Sequence, residues 1–187
     1  ALPIYLGPVL GVYHPLMGYI LRRLREVSGF DDVSWTLSAA PFYFGDPYNS
    51  AANPGTLLND MLGSYTSVYL RRQFNVQNAG AITNLILGAQ SDDGFVAWIN
   101  GVEVARVNLP AGDVPYNGNT TASANEPSGS GAAYLTYTLP NPSLYLVDGE
   151  NTIAQRDTPN DGTYAGTGYI WQARVLKANN TPLQQGA

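Results

Sequence analysis

The dipeptide Asn100-Gly101 constrains this chain more than any other feature, because it joins two runs of strand-forming residues, Phe95–Asn100 and Gly101–Val107. A two-residue type I′ turn needs positive φ at both central positions, and Asn followed by Gly accepts that at low steric cost. The segment is expected to be an antiparallel hairpin. Alternation along its first strand places Phe95, Ala97 and Ile99 on one face and Val96, Trp98 and Asn100 on the other. The first set is wholly apolar and suits a core.

The same reasoning extends along the chain. Val68–Val76 and Ile82–Ala89 are strand-like and separated by the turn residues Asn78, Ala79 and Gly80. Tyr134–Leu139, Thr152–Gln155 and Tyr169–Leu176 add further strands. Residues 110–131 form a long polar loop rich in Asn, Thr, Ser and Gly, the kind that is either functional or mobile. Seven or eight short strands without βαβ alternation describe an all-β antiparallel sandwich. No internal repeat or linker divides the chain, and 187 residues suffice for one domain with a real core.

The N-terminal stretch reads differently. Residues 1–21 contain no Asp, Glu, Lys or Arg, yet Pro3, Pro8, Pro15, Gly7, Gly11 and Gly18 would break a helix in lipid, so no membrane span is expected. No basic region precedes the stretch as a secretory signal would require. Residues 1–14 are extended and irregular. From Pro15 to Val27, the spacing of Leu16, Tyr19, Ile20, Leu24 and Val27 predicts one short amphipathic helix, with Gly29 as its stop. The helix either packs on a sheet edge or meets another subunit. The expected organisation is an apolar arm and helix over 1–28 and a sandwich over 29–187.

Composition excludes several function classes. Nine basic against fourteen acidic residues, with Lys177 the single lysine, argue against a polybasic nucleic-acid or anionic-membrane binder. Without cysteine there is no disulfide, zinc-thiolate site or thiol catalysis. His14 is the only histidine and has no carboxylate nearby in sequence, so it is read as a plain loop or packed residue. Carboxylate pairs are present, but nothing selects a catalytic pair, and a non-catalytic protein is expected.

Five segments, in order, resemble a known family. They are Gly29-Phe30-Asp31-Asp32-Val33-Ser34-Trp35, Ala40-Pro41-Phe42-Tyr43-Phe44-Gly45-Asp46 and Tyr69-Leu70-Arg71-Arg72-Gln73-Phe74. The remaining two are Ser91-Asp92-Asp93-Gly94 running on to Asn100-Gly101, and Leu146-Val147-Asp148-Gly149-Glu150-Asn151-Thr152-Ile153-Ala154. Together they resemble galactose-binding-like jelly-roll domains and the related PA14 type of sugar binder, over roughly residues 29–155. The resemblance implies a jelly-roll β-sandwich and a non-catalytic module in an extracellular or cell-surface setting. The chain departs from the pattern at both ends, in the Pro15–Val27 helix and in a polar loop expected from Gln155 to Gly162.

Candidate sites follow from these readings. Asp92 and Asp93 resemble the Asp-Asp pair that holds calcium in PA14-type binders; otherwise one caps a turn and the other is solvated. Asp157 and Asp161 offer oxygen ligands at close spacing, though without the distal Glu of an EF-hand, and Asp46 with Asp60 is another possible pair; for each, a plain Asx-turn is the alternative reading. Trp98 either stacks on a sugar or a neighbouring subunit, or is covered by the N-terminal helix or the 110–131 loop. Trp35 and Trp171 suit the core. Arg71 and Arg72 point to opposite faces of one strand and form no joint clamp.

Two functions remain open. One is an extracellular carbohydrate-binding or adhesive module using Trp98, Asp92, Asp93 and Asn100, with calcium as candidate cofactor. The other is a self-assembling subunit of an extracellular filament or surface layer. There Ile4, Tyr5, Leu6, Val9, Leu10 and Tyr13 would touch a neighbouring copy by adding a strand to an open sheet edge.

Overall fold

The computed structural model describes residues 4–5, 38, 40–44, 56–59, 61, 67–91, 93–114, 118–122, 135–158 and 169–177, with backbone alone at 4–5, 44, 157–158 and 169–177. Ten strands follow in order: β1 Ile4–Tyr5, β2 Phe42–Phe44, β3 Thr56–Leu57, β4 Val68–Val76, β5 Leu85–Ser91, β6 Gly94–Ile99, β7 Val102–Val107, β8 Leu135–Leu139, β9 Gly149–Thr158 and β10 Tyr169–Lys177. They make two sheets. One runs β3-β2-β10-β5-β8 with β1 also on β10, and the other runs β4-β9-β6-β7. Every pairing is antiparallel except the short β2–β3 contact.

The core lies between the sheets. Phe74 and Val76 of β4, Phe95, Ala97 and Ile99 of β6 and Ile153 of β9 meet Leu85, Leu87 and Ala89 of β5 and Leu139 of β8. The Phe95 and Tyr137 rings meet edge to face at 5.2 Å, a favoured aromatic geometry. A smaller cluster of Phe42, Leu58, Met61, Val68 and Leu70 continues this layer. The chain is thus an all-β sandwich, as the strand pattern predicts.

The hairpin forms as expected: Asn100 and Gly101 both have positive φ, 50° and 82°, between β6 and β7. The predicted bounds of β4 match residue for residue. Three short strands, β1, β2 and β3, go beyond the sequence reading. The expected polar loop from Gln155 onward is corrected as far as Thr158, because these residues extend β9 in a long ladder with β4 and β6. Pairing on both edges satisfies their backbone groups, which overrides their polarity.

Ile4 and Tyr5 pair with Val175 and Arg174 of the same chain. The expectation that this part of the arm adds a strand to a neighbour's sheet therefore meets an edge already taken by the chain itself. Leu6, Val9, Leu10, Tyr13, His14, the Pro15–Val27 helix and Trp35 lie outside the described residues, as does the side chain of Trp171.

A pocket on the outer face of the four-stranded sheet

The parity argument for β6 holds in three dimensions. Phe95, Ala97 and Ile99 enter the inter-sheet core, whereas Val96 and Trp98 turn to the outer face and pack with Leu109 and Val114. The polar loop after β7 thus folds back over the sheet and covers part of Trp98, leaving it half-buried. This outer layer is a further small apolar cluster, separate from the two between the sheets.

Two arginines fasten the loop. Arg156, on β9 and only 2% exposed, donates from Nη1 to the Val114 carbonyl at 2.7 Å and from Nη2 and Nε to Ser67 Oγ at 2.9 and 3.3 Å. Its guanidinium also lies 5.7 Å from the centroid of the Tyr69 ring, within cation–π range. Arg106, on β7, donates from Nη1 to the Pro110 carbonyl at 2.6 Å. Its Nε and Nη2 grip the Glu103 carboxylate at 2.8 and 2.6 Å. Hydrogen bonding to Glu103 raises the Arg106 pKa against the opposing pull of desolvation.

That last pair depends on a bulge. Residues three apart on a regular strand point to opposite faces. Here the register between β6 and β7 shifts at Ala97/Trp98, so Ala105 opposes Ala97 while Glu103 opposes Trp98. Val104 is the extra residue, and both it and Ala105 pack against the core. A bulge re-aims side chains in this way, and it delivers Glu103 and Arg106 to one face, beside Trp98.

The result is a cavity of about 190 Å³ lined by Tyr69, Val96, Trp98, Glu103, Arg106, Gly112, Asp113, Val114 and Arg156. Gly112 has φ +78°, a left-handed conformation that side chains rarely adopt. It lets the loop turn at the cavity rim. The cavity offers aromatic and aliphatic surface beside two carboxylates and two guanidiniums, a combination suited to a small polar ligand with an apolar face.

Of the residues singled out from sequence, Trp98 is in this pocket. Asn100 is elsewhere and engaged. Its Nδ2 donates to the Tyr145 carbonyl at 2.7 Å and to Asn151 Oδ1 at 2.8 Å, while its Oδ1 accepts from the Thr152 amide at 2.8 Å. Asp93 precedes the other end of β6, about 23 Å away along an extended strand, and its carbonyl accepts from Asn108 Nδ2 at 2.9 Å. Trp98, Asn100 and Asp93 therefore do not converge on one ligand. The glycine of the Asp-Asp-Gly motif has a steric reason. A Cβ on Gly94 would lie 2.6 Å from both Thr120 Cγ2 and the Val107 carbonyl oxygen.

Asp157 lies on β9, its backbone paired with Val68 and Phe95. Asp92, Asp161, Asp46 and Asp60 lie outside the described residues. Among the described residues, no three Asp, Glu, His or Cys side chains come together to hold a metal ion. Arg71 and Arg72 divide between faces as expected: Arg72 shares the side of Leu70 and Phe74, and desolvation lowers its pKa. Arg71 is buried on the other side, where its Nη2 reaches Thr152 Oγ1 at 3.5 Å. Sequence reasoning missed Tyr69, Glu103, Arg106, Asp113 and Arg156. The available signal was strand alternation, which sets Tyr69 apart from Val68 and Leu70 as it sets Trp98 apart from Ala97 and Ile99; the bulge and the loop contacts had none.

No family model matches the chain, and no curated protein matches it. Solved structures do. An exo-chitosanase of Amycolatopsis orientalis is 16% identical with a TM-score of 0.48, over 95% of this chain and 21% of that one. A glycosyl hydrolase family 2 member from Bacteroides cellulosilyticus is 18% identical with a TM-score of 0.48, over 90% of this chain and 20% of that one. A calcium-binding mutant of Bacteroides uniformis beta-glucuronidase 2 is 16% identical with a TM-score of 0.45, over 92% of this chain and 18% of that one. The chain spans about a fifth of the length of each of these proteins.

Proposed function

We propose that this chain is a non-catalytic, extracellular carbohydrate-binding module whose ligand docks in the outer-face pocket against Trp98. The observation that carries this reading is the placement of a half-buried Trp98 beside Tyr69, Glu103 and Asp113 in one cavity. Sugars present C–H faces that stack on indole and hydroxyls that donate to carboxylates, and the pocket supplies both partners. The resemblance of the five sequence segments to galactose-binding-like domains supports the same reading.

The test is a glycan array followed by calorimetry on the hits, comparing wild type with Trp98→Ala at matched far-ultraviolet circular dichroism. Trp98→Ala should weaken binding by at least about tenfold, the equivalent of about 1.4 kcal/mol. A folded wild type that binds no glycan, or a Trp98→Ala variant that binds as well as wild type, would overturn the reading.

A further inference from the structure

The chemistry of the pocket goes further than "carbohydrate". Resting on the reading above, we infer that it selects a single neutral pyranose ring and rejects sugar acids. Size sets the first limit. A volume of about 190 Å³ is below the roughly 300–1,000 Å³ of sites that enclose drug-sized ligands, and it suits one ring rather than two.

Charge sets the second limit. Two guanidiniums face two carboxylates among the lining residues, Arg106 and Arg156 against Glu103 and Asp113, so their formal charges cancel. More important is what the arginines are already holding. Recognition of a carboxylate by arginine uses two parallel N–H groups on one edge of the guanidinium. The Nε–Nη2 edge of Arg106 is closed on Glu103, and its Nη1 holds Pro110. The same edge of Arg156 is on Ser67, and its Nη1 holds Val114. A sugar acid would find the Nε–Nη2 edge of each arginine already taken, and its carboxylate would also meet the like charges of Glu103 and Asp113. The Glu103 side chain is 41% exposed and Asp113 is exposed, so both can accept hydrogen bonds from neutral hydroxyls. Discrimination of this kind comes from repulsion and occupied donors rather than from an added attraction.

The experiment uses the full chain and matched probes: methyl gluco-, galacto- and mannopyranoside, each beside the methyl glycoside of its uronic acid, titrated by calorimetry or by ligand-observed NMR. At least one neutral ring should bind about tenfold or more tightly than its uronate at low salt. The methyl glycoside of the corresponding disaccharide should gain no more than about twofold. Glu103→Gln, which removes one negative charge and loosens the hold on Arg106, should narrow the neutral-to-acid ratio. Uronates that bind as well as or better than the neutral rings would overturn the inference while leaving the carbohydrate reading in place. A disaccharide much tighter than the single ring would overturn the size limit. Failure of every pyranoside, neutral and acidic, would sink both.

Discussion

At the scale of single residues, the family-like motifs turn out to hold the fold together. Asn151 is fully buried, and its carboxamide makes four bonds. It donates to the Val147 and Gly149 carbonyls at 2.8 and 3.0 Å and accepts from the Val147 amide and Asn100 Nδ2 at 3.0 and 2.8 Å. Asn100 and Asn151, 51 positions apart, thus tie the hairpin turn to the start of β9. A buried carboxamide so engaged has nothing left for a ligand. Asn151→Ala would leave several buried donors and acceptors unmatched, at about 1–3 kcal/mol each before relaxation. We expect it to lower stability in urea by about 3 kcal/mol. A loss under about 1 kcal/mol would show that water or a local shift replaces the amide. The residue reading from sequence put Asn100 in the ligand site because parity speaks only of faces. It is silent on which partners the fold brings to a turn.

At the scale of elements, the outer pocket is made by a strand irregularity and a folded-back loop. Alternation correctly separates Phe95, Ala97 and Ile99 from Val96 and Trp98, since the side-chain period of a strand is two whatever surrounds it. Nothing in the run Val102–Val107 marks Val104 as the bulged residue, and without the bulge Glu103 and Arg106 would face opposite ways. Residues 110–131 read as a long polar loop in sequence, yet Leu109 just before it and Val114 within it are buried, and Arg156 holds Val114 from below. Arginine's planar fork is what allows one side chain to reach Ser67, Val114 and the Tyr69 ring at once, and lysine lacks it. Arg156→Lys should therefore cost about 2 kcal/mol. It should also speed amide exchange in 109–114 well before the rest of the sheet, as read by hydrogen-exchange mass spectrometry. Uniform exchange across the chain would show that the loop is not a separately held element.

At the scale of the molecule, the question is whether the apolar N-terminal stretch joins copies together. Ile4 and Tyr5 pair with β10 beside β2, and this contact is entirely within one chain. A neighbour's strand could add at this part of β10 only by displacing β1. Light scattering should find a monomer at micromolar concentration. Proline at both positions 4 and 5 removes the donors of β1, and should lower the melting temperature and promote association. Ordered filaments formed by the wild type, and abolished by those prolines, would restore the self-assembling reading.

What sequence alone determined is the part governed by short-range rules. Positive φ at Asn100-Gly101, the alternation on β6, the length of β4 and the all-β character are legible because turns and pleats depend on neighbours a few positions away. The rest depends on contacts between residues far apart in the chain. The extension of β9 to Thr158 needs β4 and β6 as partners on either side, and the two-residue strand β1 exists by its pairing with β10. The pocket draws Tyr69, Trp98, Arg106 and Arg156 from four strands and Asp113 from a loop. The low charge count of the chain gives no hint that Arg106 and Arg156 are spent on holding a loop. Which groups stay available to a ligand is settled by the contacts each side chain has already made.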